Sequence, residues 1–267
     1  MTEGPATFDR SEFPSVRLLA AKAPRTVSVC IPARNEEATV GAVVAAVARP
    51  HLLAAGGSGL VDEVLVVDDG SEDATAARAA AAGARVLRRS GAPGKGQAMR
   101  AAVEAAAGDL LVFLDADVED TTESFVTGLL GPLLVHEDVA LVKGCYERPI
   151  EGRPGGGGRV TELVARPLLE LLFPGLAAVR QPLAGETAAP RWALEKVGLD
   201  DGYGVELGLL IDVAARFGTR SIAQVDLGTR THRNRPLDEL RPQAVEVLRA
   251  GLARAGIAPG RPGVGGW

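Results

Sequence analysis

The stretch LVFLDADVED (residues 111–120) runs four apolar or aromatic side chains together, then presents Asp115 and Asp117 two residues apart, with further acid at Glu119 and Asp120. A short run that is apolar at every position, not at alternate ones, marks a strand covered on both faces, as in a parallel sheet flanked by helices. The pattern recurs upstream. TVSVCIP (26–32) reads as a buried strand, and NEEATVGAVVAAVARP (35–50) as a helix with Asn35 as its N-cap and acid in its first turn. DEVLVVDDGS (62–71) is a strand ending at Asp68 and Asp69, and EDATAARAAAAG (72–83) a helix stopped by Gly83. ARVLRR (84–89) gives a third strand, GKGQAMRAAVEAAAG (94–108) the next helix, and DLLVFLDAD (109–117) the fourth strand. Strands alternating with helices predict an α/β fold with a Rossmann-like, mainly parallel sheet. Ligands of such sheets bind beyond the carboxyl ends of the strands. Pro32, Ala33, Arg34 and Glu36, then Asp68 and Asp69, then Asp115, Ala116 and Asp117 should therefore meet in one crevice.

The second half is less regular. ALVKGCYERP (140–149) reads as a strand leading into the flexible run EGRPGGGGR (151–159), which opens the helical pattern VTELVARPLLELLF (160–173). RWALEKVG (191–198) and VELGLLIDVAARFG (205–218) are helices, RSIAQVDLG (220–228) a strand, and LDELRPQAVEVLRAGLARAG (237–256) a last helix before a Gly/Pro tail. The expected division is a leader over 1–25, a first subdomain over 26–145, a second over 146–256 and a tail over 257–267. No solenoid-type repeat is present.

The 267 residues suffice for one large core, and a net charge of −5 argues against a nucleic-acid surface. Lys22, Lys95, Lys143 and Lys196 are the only lysines, so most basic charge is arginine. Cys30 and Cys145 sit inside apolar runs, which predicts buried free thiols in a reducing compartment. With no charged-then-apolar leader and no apolar stretch of membrane-spanning length, a cytoplasmic protein without stable membrane insertion is expected.

An isolated Asp-x-Asp is more often a capping or loop pair than a site. At a strand end, however, two close carboxylates repel unless a cation lies between them, and a hard divalent ion on a diphosphate suits oxygen ligands. The aspartyl-phosphate phosphatases also end a strand with Asp-x-Asp, but on the first strand and with Thr or Val where this chain has Glu119. SGAPGKGQA (90–98) sets Lys95 at a helix start, as a solvated lysine or as one aimed at phosphate. It lacks the spacing of a P-loop. GGGGRVT (155–161) offers backbone N–H groups, the Arg159 fork and the Thr161 hydroxyl, which suit a phosphate or carboxylate or form a plain linker. GTRTHRNRP (228–236) packs Arg230, His232, Arg233 and Arg235 after a strand, and His232 could supply a metal ligand. GYGVELG (202–208) places Tyr203 and Glu206 at a helix start, where Glu206 either complements the helix dipole or binds sugar hydroxyls.

IPARNEE, VVDDGSEDAT and FLDAD together resemble the nucleotide-sugar-binding half of GT-A glycosyltransferases. LVKGCYERP, GGGGRVTELVARPLLELL, QPLAGE, GYGVELGLLID and IAQVDLGTRTHRNRPL narrow this: they resemble the glucosyl-3-phosphoglycerate synthase family of retaining glycosyltransferases, from about Val27 to the last helix. The resemblance implies a C-terminal acceptor-binding region, with UDP-glucose as donor and 3-phosphoglycerate as acceptor. Pro32, Ala33, Arg34, Glu36 and Asp69 would line the uridine pocket, Lys95, Asp115 and Ala116 would meet the nucleotide, and Asp117 with His232 would ligate Mg2+ or Mn2+. Gly158, Arg159, Thr161 and Asn234 would bind the acceptor, with Arg230 and Tyr203 nearby, while Glu206 and Leu183 in the 183–185 turn would meet glucose. Asp117, Glu206, Lys95 and Arg230 would carry the catalysis, and a homodimer is the family expectation. Arg34, Asp69 and Ala184 depart from the family pattern, so GDP-mannose remains an alternative donor. Two further readings stand beside this one: an inverting transferase with a lipid-phosphate acceptor, approached through a basic amphipathic last helix, and a non-catalytic sugar-nucleotide-binding module.

Overall fold

The computed structural model describes residues 4–49, 59–118, 120–147, 158–230 and 237–258. Eight strands form one sheet in the order β1-β8-β6-β7-β5-β2-β3-β4. The strands are β1 (Ala6–Asp9), β2 (Val27–Ala33), β3 (Glu63–Asp68), β4 (Arg85–Arg88), β5 (Leu110–Phe113), β6 (Leu141–Glu147), β7 (Thr187–Pro190) and β8 (Ile222–Thr229). All neighbours pair in parallel except β7, which is antiparallel to both β5 and β6. The expected mainly parallel α/β sheet is therefore present, with one reversed strand that the sequence reading did not assign.

The side-chain period of two sorts the strand residues onto two faces. Val29, Ile31, Val64, Val66, Val112, Val142 and Val225 face one core with α1 (Ser15–Lys22), α2 (Val40–Val47), α3 (Thr75–Ala81) and α5 (Glu123–Val135). Cys30, Leu65, Val67, Leu111, Phe113, Leu141 and Ile222 face the other, with α4 (Lys95–Ala105), α6 (Arg166–Leu172), α7 (Arg191–Val197), α8 (Val205–Phe217) and α9 (Leu237–Arg254). Burial on both sides is why these strands read as unbroken apolar runs. Cys30 and Cys145 are buried free thiols, as expected.

Three departures from the sequence reading have local causes. Asn35 is not a helix N-cap: it takes a left-handed φ of 55°, and α2 begins only at Val40. The backbone N–H groups of Asn35, Glu36 and Glu37 instead donate to the side chains of Ser71, Thr75 and Asp73 in the next strand-to-helix turn. The leader residues contribute β1, which pairs with β8, and α1, which packs against α5. The 160–173 helix opens as a wide π turn over Thr161–Ala165, where the Arg166 N–H reaches back to the Thr161 carbonyl. Pro167 follows directly and has no N–H to offer an ordinary α ladder. By contrast Gly83 behaves as read, with a φ of 99° and N–H bonds from Gly83 to Ala80 and from Ala84 to Ala79 that close the end of α3.

Candidate active site

Five strand termini build the site. The parallel strand β5 delivers Asp115, Ala116 and Asp117, while β2 and β3 end beside it at Ala33 and Asp68. Because β7 runs the opposite way, it starts where β5 stops, with Thr187 opposite Phe113 and also beside Lys143 of β6. The turn before β7, residues 181–186, is thereby pressed against the Asp-x-Asp carboxylates. A Cβ on Gly185 would fall onto the Asp115 carboxylate, so only glycine lets the turn come this close. From the far side β8 ends just before Arg230, whose N–H donates to the Glu147 carbonyl at 2.9 Å.

Within this frame charges alternate. Lys95, the first residue of α4, places its Nζ 2.9 Å from Asp115 Oδ1 and 2.5 Å from Glu206 Oε1. Burial alone would push the Lys95 ammonium down, but the Asp115 and Glu206 carboxylates outweigh it and hold its pKa well above the ordinary lysine value. Arg230 is 1% exposed and lies 3.2 Å from Asp117 Oδ1, 3.6 Å from Asp115 Oδ2 and 2.8 Å from Glu186 Oε1. It also donates to the Tyr146 hydroxyl at 3.0 Å. Burial pushes the Glu186 carboxyl up, against the pull of Arg230 and with the added repulsion of Asp115.

Glu206 is held by its neighbours on both sides. The loop before it is tied to α4 by Gln97, which accepts from the Gly202 N–H at 3.0 Å, and to α9 by Glu246, which accepts from the Tyr203 N–H at 2.6 Å. Arg254 of α9 adds a 2.7 Å bond to Asp200. These ties bring the N-terminus of α8 against that of α4, so Glu206 and Lys95 face each other. Two polar side chains of α9, Glu246 and Arg254, are thus engaged within the protein.

The sequence-derived candidates fall into place unevenly. Lys95, Asp115, Asp117, Glu206 and Arg230 converge, and Ala116 is buried between the two aspartates. Leu183 lies in the turn next to Asp115, and Tyr203, 39% exposed, stands three residues before Glu206. Pro32 and Ala33 close β2, and Arg34 is exposed just beyond. Gly158, Arg159 and the buried Thr161 open the π turn. His232 and Asn234 lie outside the described residues. Asp69 has both carboxylate oxygens engaged: Arg89 donates to Oδ1 at 2.7 Å and the Gly94 N–H donates to Oδ2 at 2.6 Å. It thus anchors the residue that caps α4, immediately before Lys95. Asp69→Ala is expected to lower kcat/KM roughly tenfold by loosening Lys95, whereas Asp69→Asn, which keeps an acceptor for Gly94, should lose less. Steady-state kinetics of the two variants check this ordering.

Lys143, Tyr146 and Glu186, which lie in the quoted stretches LVKGCYERP and QPLAGE, are participants to which sequence reasoning gave no role. A lysine inside the apolar run ALVKGC, in a chain with four lysines, was the available signal. Lys143 donates to the Ala184 carbonyl and, at 3.0 Å, to Thr187 Oγ1, so it grips both ends of the turn before β7. Burial pulls its pKa down to about 8, with Glu206 opposing and Lys95 adding to the drop. A lysine whose folded pKa lies below its unfolded one binds fewer protons when folded, so stability should rise as pH climbs from about 8 toward the ordinary value of 10.5. Thermal unfolding across that range should show the rise, and Lys143→Met should flatten it.

Asp115 and Asp117 offer oxygen donors of the kind a hard divalent cation takes. Among the described residues no three His, Cys, Asp or Glu side chains converge as a complete ligand set. The described cluster nevertheless sets four carboxylates, of Asp115, Asp117, Glu186 and Glu206, against the three cations Lys95, Lys143 and Arg230, an excess that favours a further cation. The donor set fits Mg2+ or Mn2+.

Comparison with known proteins agrees with this geometry. Residues 28–172 match the family model described as glycosyl transferase family 2. The chain is 49% identical over 263 residues to the glucosyl-3-phosphoglycerate synthase of Mycolicibacterium smegmatis, covering 94% of this chain and 85% of that protein. The enzyme of the same name from Petrotoga mobilis is 40% identical over 262 residues, covering 93% and 80%. Among solved structures, the Mycobacterium tuberculosis synthase in complex with Mn2+, UDP-glucose and phosphoglyceric acid superposes with a TM-score of 0.88 at 45% identity, covering 97% of this chain and 90% of that one. The same enzyme has been solved with Mn2+, UDP and glucosyl-3-phosphoglycerate, with a TM-score of 0.88 at 46% identity, covering 96% and 89%. A GT-A fold with this site and nearly full-length similarity leads to one conclusion: the chain belongs to glycosyl transferase family 2 and, within it, to the glucosyl-3-phosphoglycerate synthases.

Proposed function

We propose that the protein transfers glucose from UDP-glucose to the 2-hydroxyl of 3-phosphoglycerate with retention of anomeric configuration. The single observation that carries the reading is the convergence of Asp115, Asp117, Lys95, Glu206 and Arg230 at the strand ends in a chain 49% identical to a synthase of this name. The nucleotide-sugar-binding subdomain spans 26–145 and the acceptor-binding subdomain 146–256. No described helix is long and apolar enough to cross a membrane, and we read the setting as cytoplasmic.

Mg2+ or Mn2+, held by Asp117 with His232, would supply positive charge to the departing diphosphate. The protein's own groups do the rest. Pro32, Ala33, Arg34 and Glu36 border the nucleotide base, Asp115 and Lys95 its ribose and diphosphate, and Leu183 and Glu206 the glucose. Gly158, Arg159, Thr161 and Asn234 take the phosphate and carboxylate of the acceptor, using backbone N–H groups at a helix start and a guanidinium fork. In the reaction the bond from the anomeric carbon to the UDP oxygen breaks, a bond to the acceptor 2-oxygen forms on the same face, and the hydroxyl proton passes to a phosphate oxygen of UDP. Glu206 is poorly placed as a covalent nucleophile, because its Oε1 lies 2.5 Å from the Lys95 ammonium, which already occupies the oxygen that would attack. Its role is to hold Lys95 and the sugar hydroxyls.

The deciding assay is UDP release from UDP-glucose with Mg2+, with and without 3-phosphoglycerate. Release that depends on 3-phosphoglycerate supports the reading. Activity confined to GDP-mannose would overturn the donor assignment, and inertness toward 3-phosphoglycerate with every donor would overturn the acceptor assignment.

A further inference from the structure

Glu186 has no exposed surface, yet it carries a carboxylate into the floor of the site on the turn ahead of β7. Strand β6 makes room for it at Gly144, where a Cβ would meet the Glu186 Cβ at 2.9 Å. Its Oε1 binds Arg230 at 2.8 Å, while among the described residues Oε2 has no hydrogen-bond partner, and on Arg230 the Nε is likewise without one. Burying a carboxylate with half its acceptors unused is costly, and an ion pair kept only for stability could be replaced by apolar side chains at no loss. The two unused atoms are one acceptor and one donor on the partners of a single ion pair. They leave the pair a single-point contact through Nη1, held by charge more than by a full set of hydrogen bonds.

Arg230 cannot swing out to water, being 1% exposed. Its NH2 reaches Asp117 Oδ1 at 3.2 Å, so it occupies the very carboxylate assigned to the divalent cation. An arginine balanced by Asp115 and Asp117 alone would compete with that cation. We propose that Glu186 is a positioning residue that retains Arg230 by its own negative charge, so that a divalent cation can take the Asp117 carboxylate from the guanidinium. This rests on the assignment of Asp117 as a metal ligand. In the metal-bound protein Arg230 stays beside the site on Glu186 and the Tyr146 hydroxyl instead of pairing with Asp117.

The test is direct Mn2+ binding in the presence of UDP, by electron paramagnetic resonance or calorimetry, on the full-length protein and its variants. Glu186→Gln, which keeps size and hydrogen bonding but removes the charge, is expected to weaken Mn2+ binding roughly tenfold. The double variant Glu186→Gln/Arg230→Gln removes the competitor as well and is expected to recover most of that affinity, a rescue that damage to packing would not give. Loss of Mn2+ binding in Asp117→Ala together with unchanged affinity in Glu186→Gln overturns the proposal while leaving the ligand assignment intact. Equal Mn2+ affinity in wild type and Asp117→Ala overturns the ligand assignment itself. Should Glu186→Gln prove insoluble, Glu186→Asp retains the charge but withdraws it by one methylene. An affinity loss of about threefold is expected for it, and wild-type affinity overturns the proposal.

Discussion

Asp117→Ala is expected to lower 3-phosphoglycerate-dependent release of UDP by about a thousandfold while leaving the protein folded. The side chain is 31% exposed and its partner among the described residues is Arg230, so little packing is lost with it. Thermal unfolding should therefore move by no more than a few degrees, since the buried Arg230 keeps Glu186 and the Tyr146 hydroxyl as partners. The activity loss has a different origin. Removing this carboxylate would delete the proposed cation ligand of the Asp-x-Asp pair and leave the developing diphosphate charge unbalanced as the sugar bond breaks. Retention of a tenth or more of wild-type turnover would mean that Asp117 does not hold the cation.

Gly185→Ala should be nearly as damaging, for steric reasons. Gly185 is not among the glycines with positive φ, so alanine is compatible with the backbone itself. The obstacle is the added methyl, which would land on the Asp115 carboxylate. Asp115 has little freedom to yield, because Lys95 holds Oδ1 at 2.9 Å and Arg230 lies 3.6 Å from Oδ2. Either the carboxylate or the turn must move. Overpacking of this kind costs about 1–3 kcal/mol in stability, and a displacement near 1 Å at a positioning group can cost about a hundredfold in rate. A hundredfold fall in kcat/KM for the nucleotide sugar is expected, accompanied by a modest drop in melting temperature. Wild-type kinetics in Gly185→Ala would show that the turn has room to retreat and that its closeness to Asp115 is not needed.

Both effects depend on features of very different legibility. The pair Asp115 and Asp117 stood out in sequence because an apolar strand must end before charge can appear, and Lys95 because it follows a glycine at a helix start. Glu206 was visible for the same reason, at the head of an amphipathic pattern. Glu186 was not, since an acid between LAG and TAAP carries no periodicity and resembles any loop residue. Strand β7 was invisible for a related reason. Its TAAP is four residues with two alanines and a proline, a composition with little strand preference, and it becomes a strand only because β5 and β6 present open edges on either side of it. Asn35 illustrates the converse: its composition and position suited a helix cap, but the side chains of Ser71, Asp73 and Thr75 offered the neighbouring N–H groups better partners from the next turn.

The chain's own order of residues, through the spacing of apolar side chains, determines an α/β protein with a mainly parallel sheet covered on both faces, and it determines that carboxylates gather at the strand ends. That much follows from local periodicity, which each segment carries by itself. The tertiary structure alone decides which cation meets which carboxylate. Lys95 is set between Asp115 and Glu206, and Arg230 between Asp117 and the buried Glu186, by segments as much as 113 residues apart in sequence. Pairing over such distances depends on where a reversed strand inserts and how closely a glycine lets it approach, and no local pattern encodes either.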